Sequence, residues 1–196
     1  MRASEFLIEE IIEPSTVPNT ISLWHGGNLD AIPKYKSGRA EYGPGLYLIS
    51  RYEVAKKYAA GSRKLYMVTI EKGKSSDEVY IPIESLKEFI NTYVAHAKRK
   101  DIIERLEKRQ NENAAVKAQW FINIVLNADA IKSSDMDKLR AFLVENECDY
   151  GIQESPFGWG GSVMVILFNM KKVVNIKQVK PTDKIAQYEL PNTFIN

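Results

Sequence analysis

Residues 162–169, SVMVILFN, set the strongest limit on what this chain can fold into. Successive side chains of a strand point to opposite faces, so an unbroken apolar run such as 163–168 is hydrophobic on both. Such a strand belongs inside a sheet covered on both sides, with neighbouring strands along its edges and a packed layer over each face. The rest of the sequence offers both.

Strand candidates come from period-two or short apolar runs: 21–24, 45–50, 64–71, 78–81 broken by Pro82, 150–153 and 173–179 as the closing strand. In 64–71, KLYMVTIE, alternation predicts Tyr66, Val68 and Ile70 on one face and Leu65 and Met67 on the other. Between these β-rich ends the period changes. Leu86, Phe89, Ile90, Tyr93, Val94 and Ala97 recur at helical spacing from Glu84 onward, and 98–109 continues as a mixed-charge helix broken by Ile102, Ile103 and Leu106. That helix reads as a solvated face, or alternatively as a surface that docks a target. A second helix is predicted over 113–128, with Val116, Trp120 and Ile124 deeply buried. A third starts at the capping box Ser134, Asp135, Met136 and Asp137 and packs Met136, Leu139, Phe142 and Leu143. A short docking helix is predicted over 4–13, capped by Ser4 and ended by Pro14 and Pro18. The expected architecture is α+β, one domain over 1–196 with a helical insertion at about 84–146.

Composition narrows the function classes. With 44% hydrophobic residues in 196, one substantial core is affordable in length. Lys and Arg total 27 against 25 Asp and Glu, a net charge of +2, so net charge points to no polyanion partner and leaves local patches open. The single cysteine, Cys148, excludes an internal disulfide framework and suits a reducing compartment. With two histidines beside it, no Cys/His metal site is expected. The opening MRASEFLIEEIIEP mixes acids into its apolar positions, unlike a signal peptide or a membrane span, so a cytoplasmic protein without a membrane partner is expected.

The chemistry-bearing residues concentrate in 21–59. His25 ends a short apolar run and is followed by Gly26 and Gly27, which let the backbone approach a ligand with no Cβ in the way. Tyr47 lies in the glycine-marked run GLYLIS, and Tyr58 stands eleven positions later on a predicted helix. Two phenols at one opening would sandwich a flat, preferably cationic ring. The predicted slot therefore joins an imidazole, a bare backbone and two tyrosines. The alternative is that the tyrosines are half-buried packing residues and His25 a satisfied strand-end histidine.

The order His25-Gly26, Gly45-Leu46-Tyr47 and Tyr58 resembles the ADP-ribosyltransferases of the diphtheria-toxin and poly-ADP-ribose-polymerase type. The resemblance implies a split β-sandwich of two small packed sheets around an NAD cleft. It implies that His25 hydrogen-bonds the nicotinamide-side ribose, that Gly26 holds the carboxamide through its backbone, and that Tyr47 and Tyr58 stack on the nicotinamide. The segment 28–43 would cover the adenosine half, with Arg39 and Lys34 or Lys36 at the pyrophosphate. The family's third motif, a Glu or Gln at the start of the strand that here reads SVMVILFN, falls on Met164. Glu154, in the adjacent loop ESPFGWGG, is the alternative carboxylate, and Phe157 and Trp159 fall where the family reads its acceptor. The opening MRASEFLIEE is also similar to the start of many small tailed-phage proteins, which would place the chain in a host cytoplasm. The implied activity is transfer of one ADP-ribose unit from NAD to a protein or nucleic-acid acceptor, with NAD as substrate and no metal. The alternatives are an inactive NAD- or ADP-ribose-binding module, and an interaction protein acting through its helical insertion.

Overall fold

The structure is a computed structural model, and it describes residues 19–29, 42–61, 64–154 and 162–180, without the side chain of Glu154. The predicted helix over 4–13, most of the segment 28–43 and the loop after Glu154 lie outside the described residues.

Six strands form one antiparallel sheet in the order β6-β7-β2-β1-β3-β8. They are β1 (Thr20–Gly26), β2 (Leu46–Ile49), β3 (Leu65–Glu71), β6 (Tyr150–Glu154), β7 (Val163–Leu167) and β8 (Val173–Val179). As its apolar sequence requires, β7 is an interior strand between β6 and β2. Its side chains divide between two cores, Met164 and Ile166 on one face and Val165 and Leu167 on the other. β3 follows its predicted alternation, with Leu65 and Met67 on the first face and Tyr66, Val68 and Ile70 on the second. The fold is α+β, but the described strands do not make the two small sheets expected. Because β7 pairs along both of its edges, strands from both ends of the chain join a single sheet. β4 (Tyr80–Pro82) and β5 (Ala115–Lys117) form a separate two-stranded ribbon.

Helices layer the first face. α1 (Tyr52–Tyr58) lies on it through Tyr52, Val54 and Ala55, and Tyr52 meets Trp24 edge-on at 5.5 Å between ring centroids. α2 (Ile83–Tyr93), α3 (His96–Glu107), α4 (Ala118–Asn127) and α5 (Met136–Glu145) complete the layer. Their shared core centres on Phe89, Phe121 and Phe142, whose ring centroids lie 4.6 to 5.8 Å apart.

Three local expectations are corrected. The helical stripe from Glu84 does not run through Ala97. Val94 is extended, at φ −87 and ψ 141, and its buried side chain ends α2, leaving Ala97 exposed on α3, which buries Ile102 and Leu106 instead. Residues 115–117 are a strand, not a helix: Ala114 takes φ 51, a break in helical geometry, and Pro82 sits at the ribbon end opposite Ala115. The capping box at Ser134 is not used, because residues Ser133–Asp135 form a 3-10 turn and α5 starts with no side-chain cap.

Candidate functional site

The end of β1 is held by contacts that only its glycines permit. A Cβ on Gly26 would lie 2.0 Å from the Ala55 carbonyl oxygen, 2.7 Å from the Ala59 nitrogen and 3.0 Å from the Tyr58 Cβ. The last turn of α1 therefore rests directly on the β1 backbone and brings Tyr58, 46% exposed, beside it. Gly27 follows with φ +144, a region closed to side-chain-bearing residues, and its N–H donates to the Lys64 carbonyl at 3.0 Å.

His25 is only 9% exposed. Its Nδ1 lies 2.9 Å from the Tyr47 carbonyl oxygen. A carbonyl can only accept, so the neutral ring carries its proton on Nδ1 and presents a lone pair at Nε2. That Nε2 is buried and makes no hydrogen bond of ordinary length among the described residues, the Asn28 backbone being the other polar group close to the ring. Burial lowers the imidazole's pKa, with the backbone of Tyr47 and then of Asn28 acting the other way. The result is a neutral, oriented acceptor next to Gly27, whose Cβ position would be 3.3 Å from Nε2.

The pKa direction has a consequence for stability. A histidine whose folded pKa lies below its unfolded value, about 6.5, stabilises the fold fully only above that value. As pH falls through the folded pKa, the unfolded chain binds the proton more readily and stability is lost. Melting temperature should therefore decline on going from about pH 7 to pH 5, and His25→Gln should flatten that decline. An equal slope in the variant would show that the proton is taken up elsewhere.

The Tyr47 ring does not share an opening with the imidazole. Leu46 and Leu48 lie on the second face, and His25 points the same way, toward Tyr66 at 6.4 Å between ring centroids. Tyr47 points to the first face, where its hydroxyl donates to the Gly43 carbonyl at 2.9 Å and accepts from the Tyr42 N–H at 3.1 Å. The structure thus joins Gly26 with Tyr58, and His25 with the backbone of Tyr47, while placing the His25 and Tyr47 rings on opposite faces. At the strand end, Gly26 lies against α1 on the first face and Gly27 lies beside His25 Nε2.

Met164 is 4% exposed on the first face, paired across strands with Ile49 and Gln153. It is a core side chain, not one that lines an opening. Glu154 closes β6 opposite Val163, and its side chain lies outside the described residues, as do Arg39, Lys34, Lys36, Phe157 and Trp159. Cys148 is buried and its thiol pKa is raised by that burial, with Asp149 and Asp77 adding to it, which makes it a poor nucleophile. Sequence reasoning missed two features. Ser162 Oγ is buried just before β7 without a hydrogen-bond partner among the described residues, and no sequence pattern marks it. Trp120, predicted deeply buried, is half-buried between cations, for which the spacing of Lys117 and Trp120 was an available sign. Among the described residues no group of three or more His, Cys, Asp or Glu side chains is placed to hold a metal ion, and no helix is long and apolar enough to cross a membrane.

No family profile and no curated protein sequence matches the chain. Among solved structures, one described as the crystal structure of an anti-CRISPR protein aligns at 9% sequence identity and a TM-score of 0.36, covering 83% of this chain and 97% of that one.

Proposed function

We propose that the chain is an NAD-dependent mono-ADP-ribosyltransferase, with the nicotinamide end of NAD lying over the end of β1. The observation that carries this reading is His25 Nε2, a buried, neutral acceptor with no hydrogen bond of ordinary length among the described residues, next to a glycine pair. An atom of that kind takes a hydrogen bond from a ligand hydroxyl, which is the role the family resemblance gives the histidine toward ribose. The exposed Tyr58 ring beside Gly26 supports it, because an electron-rich face favours the cationic nicotinamide ring. In the reaction the ribose–nicotinamide bond breaks and nicotinamide leaves as a neutral molecule with the bonding electron pair. The acceptor's oxygen or nitrogen bonds to the ribose carbon and releases its proton to solvent. His25 would contribute by orienting the ribose, and the glycines by letting the substrate approach closely.

A second reading is supported by Met164. The family's carboxylate position is occupied by a buried thioether that cannot stabilise positive charge developing on the ribose, which suits a module that binds NAD or ADP-ribose without chemistry.

Calorimetry with NAD, together with measurement of nicotinamide release in the presence of a cell lysate, tests both. NAD should bind, Tyr58→Ala should weaken it by roughly two- to tenfold, and His25→Gln should cut release by about a hundredfold. Binding without release selects the module. Neither binding nor release would dispose of the NAD site altogether.

A further inference from the structure

A second surface, on the helical layer, carries a different chemistry. A cleft of about 680 Å³ opens between the end of α3 and α4, lined by Arg105, Lys108, Arg109, Trp120, Asn123, Ile124 and Asn127. None of these residues is acidic. Arg109 lies over the Trp120 ring at 5.3 Å from the guanidinium carbon to the centroid, and Lys117 approaches the same ring at 5.7 Å. Lys117 also lies 6.0 Å from the ring of Tyr80, its cross-strand partner in the β4–β5 ribbon, and Tyr80 is 48% exposed. The order across the surface is therefore Tyr80, Lys117, Trp120, Arg109, with Arg105 and Lys108 beyond.

The charges of this strip are paired in part, as are those on the neighbouring turns of α3 and on α2. There, Lys100 is 3.9 Å from Glu104, and Lys87 of α2 binds Glu107 at 3.0 Å. Within the strip, Arg105 is matched by Asp101 at 3.0 Å and Lys117 by the more exposed Asp77 at 3.8 Å. Lys108 and Arg109 have no carboxylate partner among the described residues. Exposed ion pairs of this kind are worth little and are readily exchanged for a phosphate.

We propose that this strip binds single-stranded nucleic acid, with bases stacking on Trp120 and Tyr80 and the phosphate backbone following Lys117, Arg109, Lys108 and Arg105. Aromatic rings interleaved with cations are what a sequence-tolerant single-strand site needs, since every base has a face to stack and every linkage a charge to meet. Cations on both sides of Trp120, Arg109 from the turn after α3 and Lys117 from β5, fit a backbone that passes the ring, rather than one terminal phosphate. The exposed Asn123 and Asn127, which also line the cleft, offer amide hydrogen bonds to base edges, Asn123 through its NH2 because its Oδ1 accepts from Gln119 at 2.9 Å. The assignment does not depend on NAD, so its failure and that of the NAD reading are separately visible.

The test is fluorescence anisotropy of the full chain with a labelled single strand of about a dozen nucleotides, titrated across salt. Binding is expected at low salt, with log affinity falling against log salt at a slope of about −2 to −3, as three or four phosphate contacts would give. Tyr80→Ala, at an exposed position, and Trp120→Leu should each weaken binding roughly fivefold or more. Arg109→Glu should flatten the slope by about 0.7 or more. Circular dichroism melting would check that Trp120→Leu remains folded, and Tyr80→Ala carries the test if it does not. The proposal is overturned by absence of binding at low salt, by affinity unchanged in both Tyr80→Ala and Arg109→Glu, or by equal competition from an acidic peptide. Equal competition from a free mononucleotide would also overturn it, by reducing the strip to a nucleotide pocket.

Discussion

Gly26→Ala is expected to destabilise the protein by about 3 kcal/mol, a fall of roughly 10 °C in melting temperature. The reason is what the added methyl would meet. Two of its three nearest atoms are backbone, the Ala55 oxygen at 2.0 Å and the Ala59 nitrogen at 2.7 Å, and the third is the Tyr58 Cβ. No rotamer change relieves a clash with backbone, so α1 must lift from the sheet and take the buried Val54, Ala55 and Ala59 with it. Gly61→Ala is the matched control, since a Cβ there has nothing within 4 Å, and it should be close to neutral. A melting temperature unchanged in Gly26→Ala would mean that the helix does not rest on β1, and would remove Tyr58 from its place at the strand end. If the protein folds but α1 shifts, NAD affinity should fall with it, because the proposed stacking face moves away from the glycine pair.

What could be read from residues alone divides along a physical line. Properties that belong to one element were legible: the two-faced apolar run of β7, the alternation of Tyr66, Val68 and Ile70 against Leu65 and Met67, and a helical middle between β-rich ends. Properties that depend on how elements meet were not. Alternation within β1 and within β2 is visible in the sequence, but whether His25 and Tyr47 share a face depends on the register between the strands, which no periodicity carries. The helical stripe through Val94 and Ala97 conceals a break, because only two residues, Val94 and Ala95, are in extended geometry and the apolar residues keep a helix-like spacing across them. Trp120 was read as core from its place in an apolar helical pattern with Val116 and Ile124. Its half-exposed ring lies between Lys117, which is near in sequence, and Arg109, in the turn after α3, which the sequence does not place beside it. The merging of the strands into a single sheet has the same origin, since pairing along both edges of β7 is a long-range choice.

The same distinction frames the strongest test of the third-motif position. Met164→Glu restores the carboxylate that the family resemblance expects, but it does so at a core position between Ile49 and Gln153. A carboxyl group there loses its hydration and gains no ion-pairing partner visible in the register, so its folded pKa should rise above the unfolded value of about 4.3. Because the folded pKa is raised, the penalty is greatest at neutral pH and disappears as pH falls toward the unfolded pKa, where both states are protonated. The variant should be on the order of 3 kcal/mol less stable than the wild type at pH 7 and much closer to it near pH 4, whereas Met164→Leu should cost less than about 1.5 kcal/mol throughout. The consequence for function is direct. Extending a chain of ADP-ribose requires a group that polarises the hydroxyl of a unit already attached, and neither a buried thioether nor a carboxylate forced into the core can reach one. Under the proposed activity, mass spectrometry of the modified acceptor should therefore show a single ADP-ribose increment, both in the wild type and in any Met164→Glu protein that folds. A Met164→Glu protein as stable as wild type from pH 5 to 8 would place position 164 in an open polar cleft. A ladder of increments from that variant would go further and establish the position as the family's catalytic slot.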